Sequence, residues 1–334
     1  MLFLFNEIRN WFESSTFGLS LLDLVTRNIF YKKYIYYLFR KKVELNQINK
    51  KYGFTIEVTS FCNAKCTFCP NSKMKRHKEI MSMKVFLKTI ERIKLEGIDP
   101  TYFNLGPNGE PLIDKQLFKK IRILYKNFPK VNIFFPTNLS LATPKLQVKL
   151  VNSKLDNICV SLNANNAKDY KSIMNLDFKT TTRNLNNLIK LRNKSKSKLK
   201  IYLKLAANPV NKRTINSFIN KWKDKVDGIG VSWIHSWAGS MANGNGSNRQ
   251  IPRYPCRTLF DQINIQTNGN IPLCCVDMEG DIIGGNVMNN KILSSINSLK
   301  IKRIKELHAT GKIERINKCS QCRFCERGLY WLVK

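Results

Sequence analysis

Acidic residues and long apolar runs are both scarce in this sequence of 334 residues. Asp and Glu number 23 against 57 Lys and Arg, which leaves a formal net charge of +34. No stretch reaches the roughly 18 consecutive apolar residues of a membrane-spanning helix. Glu7 and Arg9 interrupt the N-terminal segment where a signal peptide needs an apolar core. These absences argue against a membrane-spanning or secreted protein and predict a cytoplasmic one.

The excess of positive charge suits an anionic partner such as nucleic acid, a phosphorylated substrate or a membrane surface. The lysines, however, are spread over almost every polar segment together with Asn and Ile. Codon usage rich in A and T produces such a distribution without selection for binding. No nucleic-acid recognition module stands out, and no repeat with a period of about 20 to 50 residues is present. The composition therefore favours codon bias over a nucleic-acid interface.

Sequence patterns divide the chain into three predicted domains. Residues 1–50 mix aromatic and basic residues at helical spacing and predict a helical extension that packs on the main domain. Contact of this helix with an anionic membrane surface is the alternative. Residues 51–240 form the predicted core domain. A Gly-, Asn- and Ser-rich stretch marks its end, and residues 241–334 form a small C-terminal domain.

Alternating strand and helix patterns in the core domain predict an α/β fold with a mainly parallel sheet. Six strands joined by five helices fit a partial (β/α)6 TIM-like barrel better than a doubly wound sheet. The predicted strands are 54–59, 101–106, 131–137, 157–163, 200–206 and 228–234, and the helices are 82–96, 114–128, 144–153, 180–194 and 212–226. In the C-terminal domain, residues 263–275 predict a β-hairpin around an Asn-Gly turn, and residues 291–308 predict a helix.

Three cysteines, Cys62, Cys66 and Cys69, follow the first predicted strand with the spacing C-x3-C-x2-C. They therefore lie at the sheet edge where strand-helix barrels place their chemistry. A structural zinc site or an electron-carrying cubane cluster takes four ligands, and His77 does not supply a fourth at the usual spacing. Because cytosolic thiols stay reduced, these cysteines are predicted to be metal or redox ligands. Three thiolates leave one iron of a cluster open to bind a substrate or cofactor.

This motif, with Phe68 just before the last cysteine, resembles that of radical S-adenosylmethionine (radical SAM) enzymes, and the resemblance covers about residues 53–240. It implies that Cys62, Cys66 and Cys69 hold a [4Fe-4S] cluster whose open iron binds the amino and carboxylate groups of S-adenosylmethionine (AdoMet). Reduction then cleaves AdoMet to a 5′-deoxyadenosyl radical, which abstracts hydrogen from the substrate. The implied partners are a small-molecule substrate, anionic or sugar-linked, and an electron donor such as flavodoxin or ferredoxin.

Other stretches match elements of the same family. The segment "NLGPNGEPLID" resembles its Gly-Gly-Glu element, with Asn108 in place of the first glycine. Gly109 would allow close backbone approach, and Glu110 would accept a hydrogen bond from the methionine ammonium group. Further candidates for cofactor or substrate contacts lie at strand ends, where simple capping is the alternative: Thr137, Asn138, Ser161 and Asn163. Candidates at the barrel mouth for contact with substrate are Lys204, His235 and Trp237.

A second cysteine set has the spacing C-x17-C-x44-C-x2-C and comprises Cys256, Cys274, Cys319 and Cys322. It resembles the SPASM and twitch extensions of radical SAM enzymes and implies one auxiliary [4Fe-4S] cluster, with zinc as the alternative. Cys275 and Cys325 are not part of this spacing. Cys275 is an alternative ligand to Cys274, and Cys325 is an alternative ligand to Cys322. Cys275 is also a candidate hydrogen-atom donor. Cys159, inside an apolar strand, is expected to be a small buried hydrophobe.

The preferred functional hypothesis is a radical SAM enzyme that oxidises (dehydrogenates) or epimerises a sugar-like or other polar small molecule. The first alternative is a maturase of a ribosomally made peptide. The second is a non-catalytic iron-sulfur or zinc protein that uses the charge of +34 to bind an anionic partner. Substrate identity is not encoded by the fold, because barrel enzymes vary their substrates through side chains at the mouth.

Overall fold

A computed structural model of the chain describes residue 21 and residues 24–234, 236–241 and 252–322. Cys325 and His235 lie outside the described residues. Within the described part, none of the helices combines the length and apolar character needed to cross a membrane.

One open sheet of seven strands organises the core, in the order β6-β5-β4-β3-β2-β1-β7. Every neighbouring pair in it is parallel. Its strands are Lys51–Ile56 (β1), Asp99–Asn104 (β2), Asn132–Thr137 (β3), Asn157–Ser161 (β4), Lys200–Ala207 (β5), Gly228–Trp233 (β6) and Gln262–Ile265 (β7). The predicted α/β partial barrel is confirmed, with one parallel strand more than the six predicted.

The helices that alternate with the strands of the core cover the outer face of this sheet, because each turns an apolar stripe toward it. In the helix Met83–Leu95, the side chain of Ser82 caps the first turn, and Phe86, Ile90 and Ile93 are buried. The helices are Ile29–Asn49 (α1), Met83–Leu95 (α2), Leu117–Asn127 (α3), Pro144–Val151 (α4), Ala167–Met174 (α5), Phe178–Lys194 (α6), Ile215–Trp222 (α7), Arg257–Asp261 (α8), Ile292–Ser295 (α9), Leu299–Ala309 (α10) and Asn317–Ser320 (α11). Of the core helices, α5 was missed by the sequence prediction.

The inner, concave face of the sheet is more polar than the outer face. In β4, Ile158 and Val160 are buried in the core under the helices, whereas the alternate residues are half-buried. Since successive side chains of a strand point to opposite faces, Cys159 and Ser161 lie on the inner face. Cys159 is therefore half-buried beside polar groups, and the prediction of a buried hydrophobe is wrong.

The C-terminal hairpin is built differently from the prediction. A tight turn does follow β7, with the Gly269 amide donating to the Gln266 carbonyl oxygen at 2.9 Å. However, β7 pairs with β1, where Ile263 and Ile265 join the main core. The next strand, Asn270–Pro272 (β8), pairs antiparallel with Ile283–Asn286 (β9). The two short strands predicted around the Asn-Gly turn are therefore present, and the Gln266 amide donates to the Asn270 carbonyl at 2.9 Å across the turn. The ladder partners differ from a simple hairpin, because β7 pairs with β1 and β8 pairs with β9.

The predicted helix 291–308 is two helices, α9 and α10, separated at residues 296–298. The side chain of Glu96, at the end of α2, accepts hydrogen bonds from the amides of Ile292 (2.7 Å) and Leu293 (2.8 Å). This contact fixes the start of α9 against the barrel. The domain boundaries predicted from sequence stay a prediction.

Helix α1 packs on the C-terminal part of the chain. Ile35 and Phe39 are buried in a second apolar cluster together with Tyr254 and Phe260. The rings of Phe39 and Phe260 meet edge to face with centroids 4.8 Å apart. The opposite side of α1 exposes Phe30 and other aromatic residues. Contact of this side with a membrane stays a prediction.

A buried ion pair ties the C-terminal part to the barrel. Arg76 Nη2 lies 2.6 Å from Glu57 Oε1, and both side chains are almost fully buried. The other oxygen of Glu57 accepts from the Thr267 amide at 3.0 Å, and Arg76 Nε donates to the Met278 carbonyl at 2.9 Å. The segment that follows β7 is thereby held beside the end of β1.

Candidate active site

The first three cysteines lie on the loop that follows β1. Cys69 immediately precedes a 3-10 turn, Pro70–Lys73, and its amide donates to the Cys66 carbonyl at 3.1 Å. The amides of Lys65 and Thr67 donate to the last carbonyls of α5, on Met174 (3.1 Å) and Ile173 (2.9 Å). The loop is therefore docked on the end of α5.

The three thiols share one cleft at the carboxyl ends of the strands. Burial raises the pKa of Cys62 to about 11 and also raises the pKa values of Cys66 and Cys69. The charges of Cys69 and Cys62 raise the pKa of Cys66 further, so the three sulfur atoms are electrostatic neighbours. Thiols in such a place ionise readily only when a metal supplies the opposing positive charge.

Gly109 brings a second loop against the cysteine loop. A side chain on this residue would begin 2.2 Å from the Thr59 carbonyl oxygen and 2.8 Å from that of Phe61. The next amide, of Glu110, donates to the Phe61 carbonyl at 2.9 Å. The close approach predicted for Gly109 is thus to the backbone beside Cys62, which explains why a glycine is needed there.

Glu110 is 2% exposed and lies in the cleft wall. Its carboxylate accepts hydrogen bonds from Thr137 Oγ1 (2.7 Å), the Asn138 amide (2.7 Å) and the Leu112 amide (3.2 Å). Burial raises the pKa of Glu110 to about 7, and these three bonds limit the rise. A carboxylate offers about four acceptor positions, so one position is left for a ligand.

Asn108, which takes the place of the family's first glycine, is 9% exposed in the same wall. Its backbone carbonyl accepts from Asn71 Nδ2, but its side-chain Oδ1 is buried with no hydrogen-bond partner in the described residues. An unsatisfied buried acceptor costs about 1–3 kcal/mol. A ligand that donates a hydrogen bond here would remove that cost.

The residues predicted at the strand ends form two groups: some hold neighbouring residues in place, and others line the cleft. Asn163 is occupied, because its Nδ2 points at Met174 Sδ (2.9 Å) and its Oδ1 accepts from the Ala206 amide (2.7 Å). Thr137 and the Asn138 amide hold Glu110, as described. Ser161 lines the cleft at the end of β4.

Lys204, on β5, also lines the cleft. Trp237 closes one side, where its Nε1 donates to the Phe68 carbonyl at 2.7 Å. Phe68 itself is partly buried against the core. Lys204 therefore joins the cysteine loop, Glu110 and Asn108 in one cavity.

A second cavity, here called the auxiliary cavity, lies in the C-terminal part. Five cysteines line it: Cys256, Cys274, Cys275, Cys319 and Cys322. Burial raises the pKa of Cys274 well above its ordinary value, and the other four thiols raise it further. Arg253 Nη1 donates to the carbonyls of Cys319 (3.2 Å) and Cys322 (3.0 Å) and holds the last two cysteines in place.

Family models match the two parts of the chain. Residues 56–205 match the radical SAM superfamily, and residues 256–325 match SPASM, an iron-sulfur cluster-binding domain. The chain therefore contains a radical SAM domain followed by a SPASM domain. No curated protein matches it.

Several solved structures resemble this radical SAM protein in fold. BtrN, in complex with AdoMet and 2-DOIA, is 17% identical with a TM-score of 0.58, covering 81% of this chain and 92% of BtrN. Streptococcus suis SuiB, bound to its precursor peptide SuiA, is 15% identical with a TM-score of 0.61, covering 86% of this chain and 73% of SuiB. The protein anSMEcpe, with bound AdoMet, is 16% identical with a TM-score of 0.56, covering 82% of this chain and 90% of its own. Such low identities show a common fold.

Two residues of this radical SAM protein escaped sequence reasoning as site residues. In the sequence Asn108 is a mismatch to the glycine pair, and what marks it as a site residue is its buried, unpartnered side-chain oxygen. His308 is buried at the auxiliary cavity. A single polar residue on the apolar face of α10 is the one sequence signal that points to it.

Proposed function

We propose that this radical SAM enzyme dehydrogenates a polar, neutral or anionic small molecule, with AdoMet and two [4Fe-4S] clusters as cofactors. Cys62, Cys66 and Cys69 would hold the first cluster. Cys256, Cys274, Cys319 and Cys322 would hold a single auxiliary cluster. The observation that carries the proposal is the closeness of the two sites: consecutive residues, Trp237 and Ala238, line the cleft and the auxiliary cavity respectively.

The residues present fit these cofactors. Three half-buried thiols and an open cleft suit a cluster with one free iron, which needs a ligand from outside the chain. The unpartnered Asn108 Oδ1 and the remaining acceptor position of Glu110 suit a bound ammonium group. When bound, the reduced cluster and AdoMet supply a 5′-deoxyadenosyl radical that removes a hydrogen atom from the substrate.

The auxiliary cavity fits a cluster better than one zinc ion. The cavity is lined by five cysteines, all within the segment 256–325 that matches an iron-sulfur cluster-binding domain. A cubane binds each thiolate through a different iron, so its ligands need not converge on one point. Fully ligated by protein, such a cluster carries electrons and does not bind substrate.

Dehydrogenation is favoured over epimerisation by the position of the thiols. Dehydrogenation needs an acceptor for a second electron near the substrate, and the auxiliary cavity adjoins the cleft at Trp237. Epimerisation needs a hydrogen donor in the cleft. Cys275, the sequence candidate for that role, lines the auxiliary cavity among the other four thiols.

The charges of the cleft favour a substrate without a free amine. Apart from the thiols, the ionisable side chains that line it in the described chain are Glu110 and Lys204. Glu110 is already bonded to three donors, and Lys204 would repel an ammonium group while attracting a hydroxyl, carboxylate or phosphate. Sugars and nucleotide-linked sugars meet these requirements. Cytosolic flavodoxin or ferredoxin would supply the first electron.

A peptide substrate is the second candidate. Its support is the fold shared with SuiB, which is described with its precursor peptide bound. The two candidates differ in what must enter the cleft, which is a whole small molecule in one case and one side chain of a long polymer in the other.

The test is AdoMet cleavage by the anaerobically reconstituted protein under reduction, read as 5′-deoxyadenosine by chromatography. Addition of nucleotide-linked sugars, sugar acids and sugar phosphates deuterated on carbon should transfer deuterium into 5′-deoxyadenosine. The same compounds without label should give a product two mass units lighter than the substrate. Absence of 5′-deoxyadenosine under several reductants, with both clusters intact, would favour a non-catalytic iron-sulfur protein that binds an anionic partner. Deuterium transfer from peptides alone would favour the maturase.

A further inference from the structure

His308 is a fully buried histidine in the last turn of α10. The Cys256 amide donates to its Nδ1 at 3.2 Å, and its Nε2 lies 3.4 Å from Cys319 Sγ. Because Nδ1 accepts a hydrogen bond, the neutral ring carries its proton on Nε2. That proton therefore points at the sulfur of Cys319.

The ring orientation is fixed by packing as well as by hydrogen bonds. The ring of Phe260 meets that of His308 at 81°, with centroids 6.4 Å apart. Ile304 and Ile301, one and two turns earlier on the same face of α10, are buried in the apolar cluster that includes Phe260. His308 thus bridges two segments, 256–260 and 319–322, that both contribute cysteines to the auxiliary cavity.

We propose that His308 is a positioning residue that donates Nε2–H to the Cys319 sulfur and thereby raises the reduction potential of the auxiliary cluster. The inference rests on the proposed function, in which Cys256 and Cys319 are cluster ligands. Reduction adds negative charge to a cluster, and a hydrogen bond to a ligand sulfur stabilises that charge. In a buried site, water does not weaken the effect.

The proposed role suits an electron acceptor. A higher potential makes the auxiliary site a better acceptor for the second electron of a dehydrogenation. The hydrogen bond is present in both oxidation states, so only its strengthening on reduction changes the potential, and we expect its loss to shift the reduction equilibrium about tenfold. For a one-electron step, a tenfold change corresponds to about 59 mV.

The experiment isolates the auxiliary cluster in the full-length Cys62→Ala/Cys66→Ala/Cys69→Ala background. His308→Leu and His308→Gln are added to it, with His77→Leu at an exposed histidine as the matched control. Midpoint potentials are measured by redox titration followed by electron paramagnetic resonance, with iron and sulfide counted in each variant. We expect His308→Leu to lower the potential by about 59 mV, His308→Gln to lower it less, and His77→Leu to leave it unchanged.

An unchanged potential in both His308 variants, with the cluster retained, overturns the proposal. If His308→Leu loses the cluster, His308→Gln decides, because it keeps a donor and an acceptor. If the Cys62→Ala/Cys66→Ala/Cys69→Ala protein contained zinc and no iron, the cluster assignment itself would be overturned.

The tautomer is tested separately. In nitrogen-15 histidine spectra of the cluster-free full chain, which has three histidines, the signal missing from His308→Leu should show a proton on Nε2. A proton on Nδ1 contradicts the assigned hydrogen bonds whatever metal the cavity binds.

Discussion

The two thiol-lined sites differ in what lies beside the sulfur atoms. In the cleft, three thiols share a wall with an amide oxygen that has no partner, on Asn108, and a carboxylate with a position left, on Glu110. In the auxiliary cavity five thiols meet polar groups that are already paired. His308 uses both ring nitrogens, and Lys318 lies 3.6 Å from buried Asp277. The cleft is built to receive a molecule with polar groups of its own, whereas the cavity is complete without one.

The largest predicted effect separates the two sites by their iron. The Cys62→Ala/Cys66→Ala/Cys69→Ala protein should lose about four irons and keep about four, and it should form no 5′-deoxyadenosine, because the cleft alone activates AdoMet. Iron and sulfide analysis with product chromatography checks both points. Cys159→Ala, on the inner face of β4, is the matched control and should keep all the iron. Loss of all iron from the triple variant would contradict independent sites.

The reverse variant sharpens the comparison. Cys319→Ala/Cys322→Ala should still cleave AdoMet without coupling but should make no dehydrogenated product, since the second electron has no acceptor. The ratio of 5′-deoxyadenosine to product is the measurement. Normal coupling in this variant would show that the auxiliary cavity serves stability only.

Within the cleft, Lys204→Gln should lower kcat/KM for an anionic substrate about 10- to 100-fold, the cost of one charged hydrogen bond of about 1.5–3 kcal/mol. Uncoupled AdoMet cleavage should change little, because the lysine is proposed to contact substrate. Lys200→Gln, at the exposed start of the same strand, is the control. Equal losses of kcat/KM in both variants would indicate that the substitutions disturb β5 and that Lys204 does not contact the substrate.

Glu110 should make stability depend on pH, because burial raises its pKa from 4.5 to about 7. The folded chain holds the proton more tightly than the unfolded chain does. This contribution is therefore complete below about pH 4.5 and is lost as the pH rises through about 7. Between pH 6 and pH 8 the free energy of unfolding without AdoMet should fall by about 1.4 kcal/mol more than in Glu110→Gln. Denaturant titrations at the two pH values measure the difference, and parallel curves would contradict the prediction.

The smallest effect tests the unpartnered oxygen. Asn108→Gly restores the family's glycine and removes the acceptor, so AdoMet should bind about fivefold more weakly, a loss of about 1 kcal/mol for one hydrogen bond. Equilibrium binding to the reconstituted protein gives the value. Asn71→Ser removes the donor to the Asn108 backbone carbonyl. It should weaken AdoMet binding to the same extent only if this hydrogen bond is needed to hold the loop around Asn108 in place.

Sequence predicted the parts of this protein that are encoded locally. Cys62, Cys66 and Cys69 lie within one loop, and β1 to β6 follow from short runs of apolar residues. The pairing of β7 was not predictable, because its partner β1 is about 200 residues away and the Asn-Gly turn gives a competing local signal. Asn108 and His308 were missed because what marks them, an unsatisfied oxygen and two engaged ring nitrogens, exists only after the chain has folded.

The position of β7 at the edge of the sheet determines when, during synthesis, β1 gains the second of its two neighbouring strands. β1 leaves the ribosome early, yet one of its two neighbours is made only when the chain reaches residue 265. Until then β1 presents an open row of amides and carbonyls, the kind of edge that recruits other chains. The nascent protein therefore passes through a vulnerable interval that lasts for most of its translation, and we expect the newborn chain to require chaperone protection before any iron is inserted.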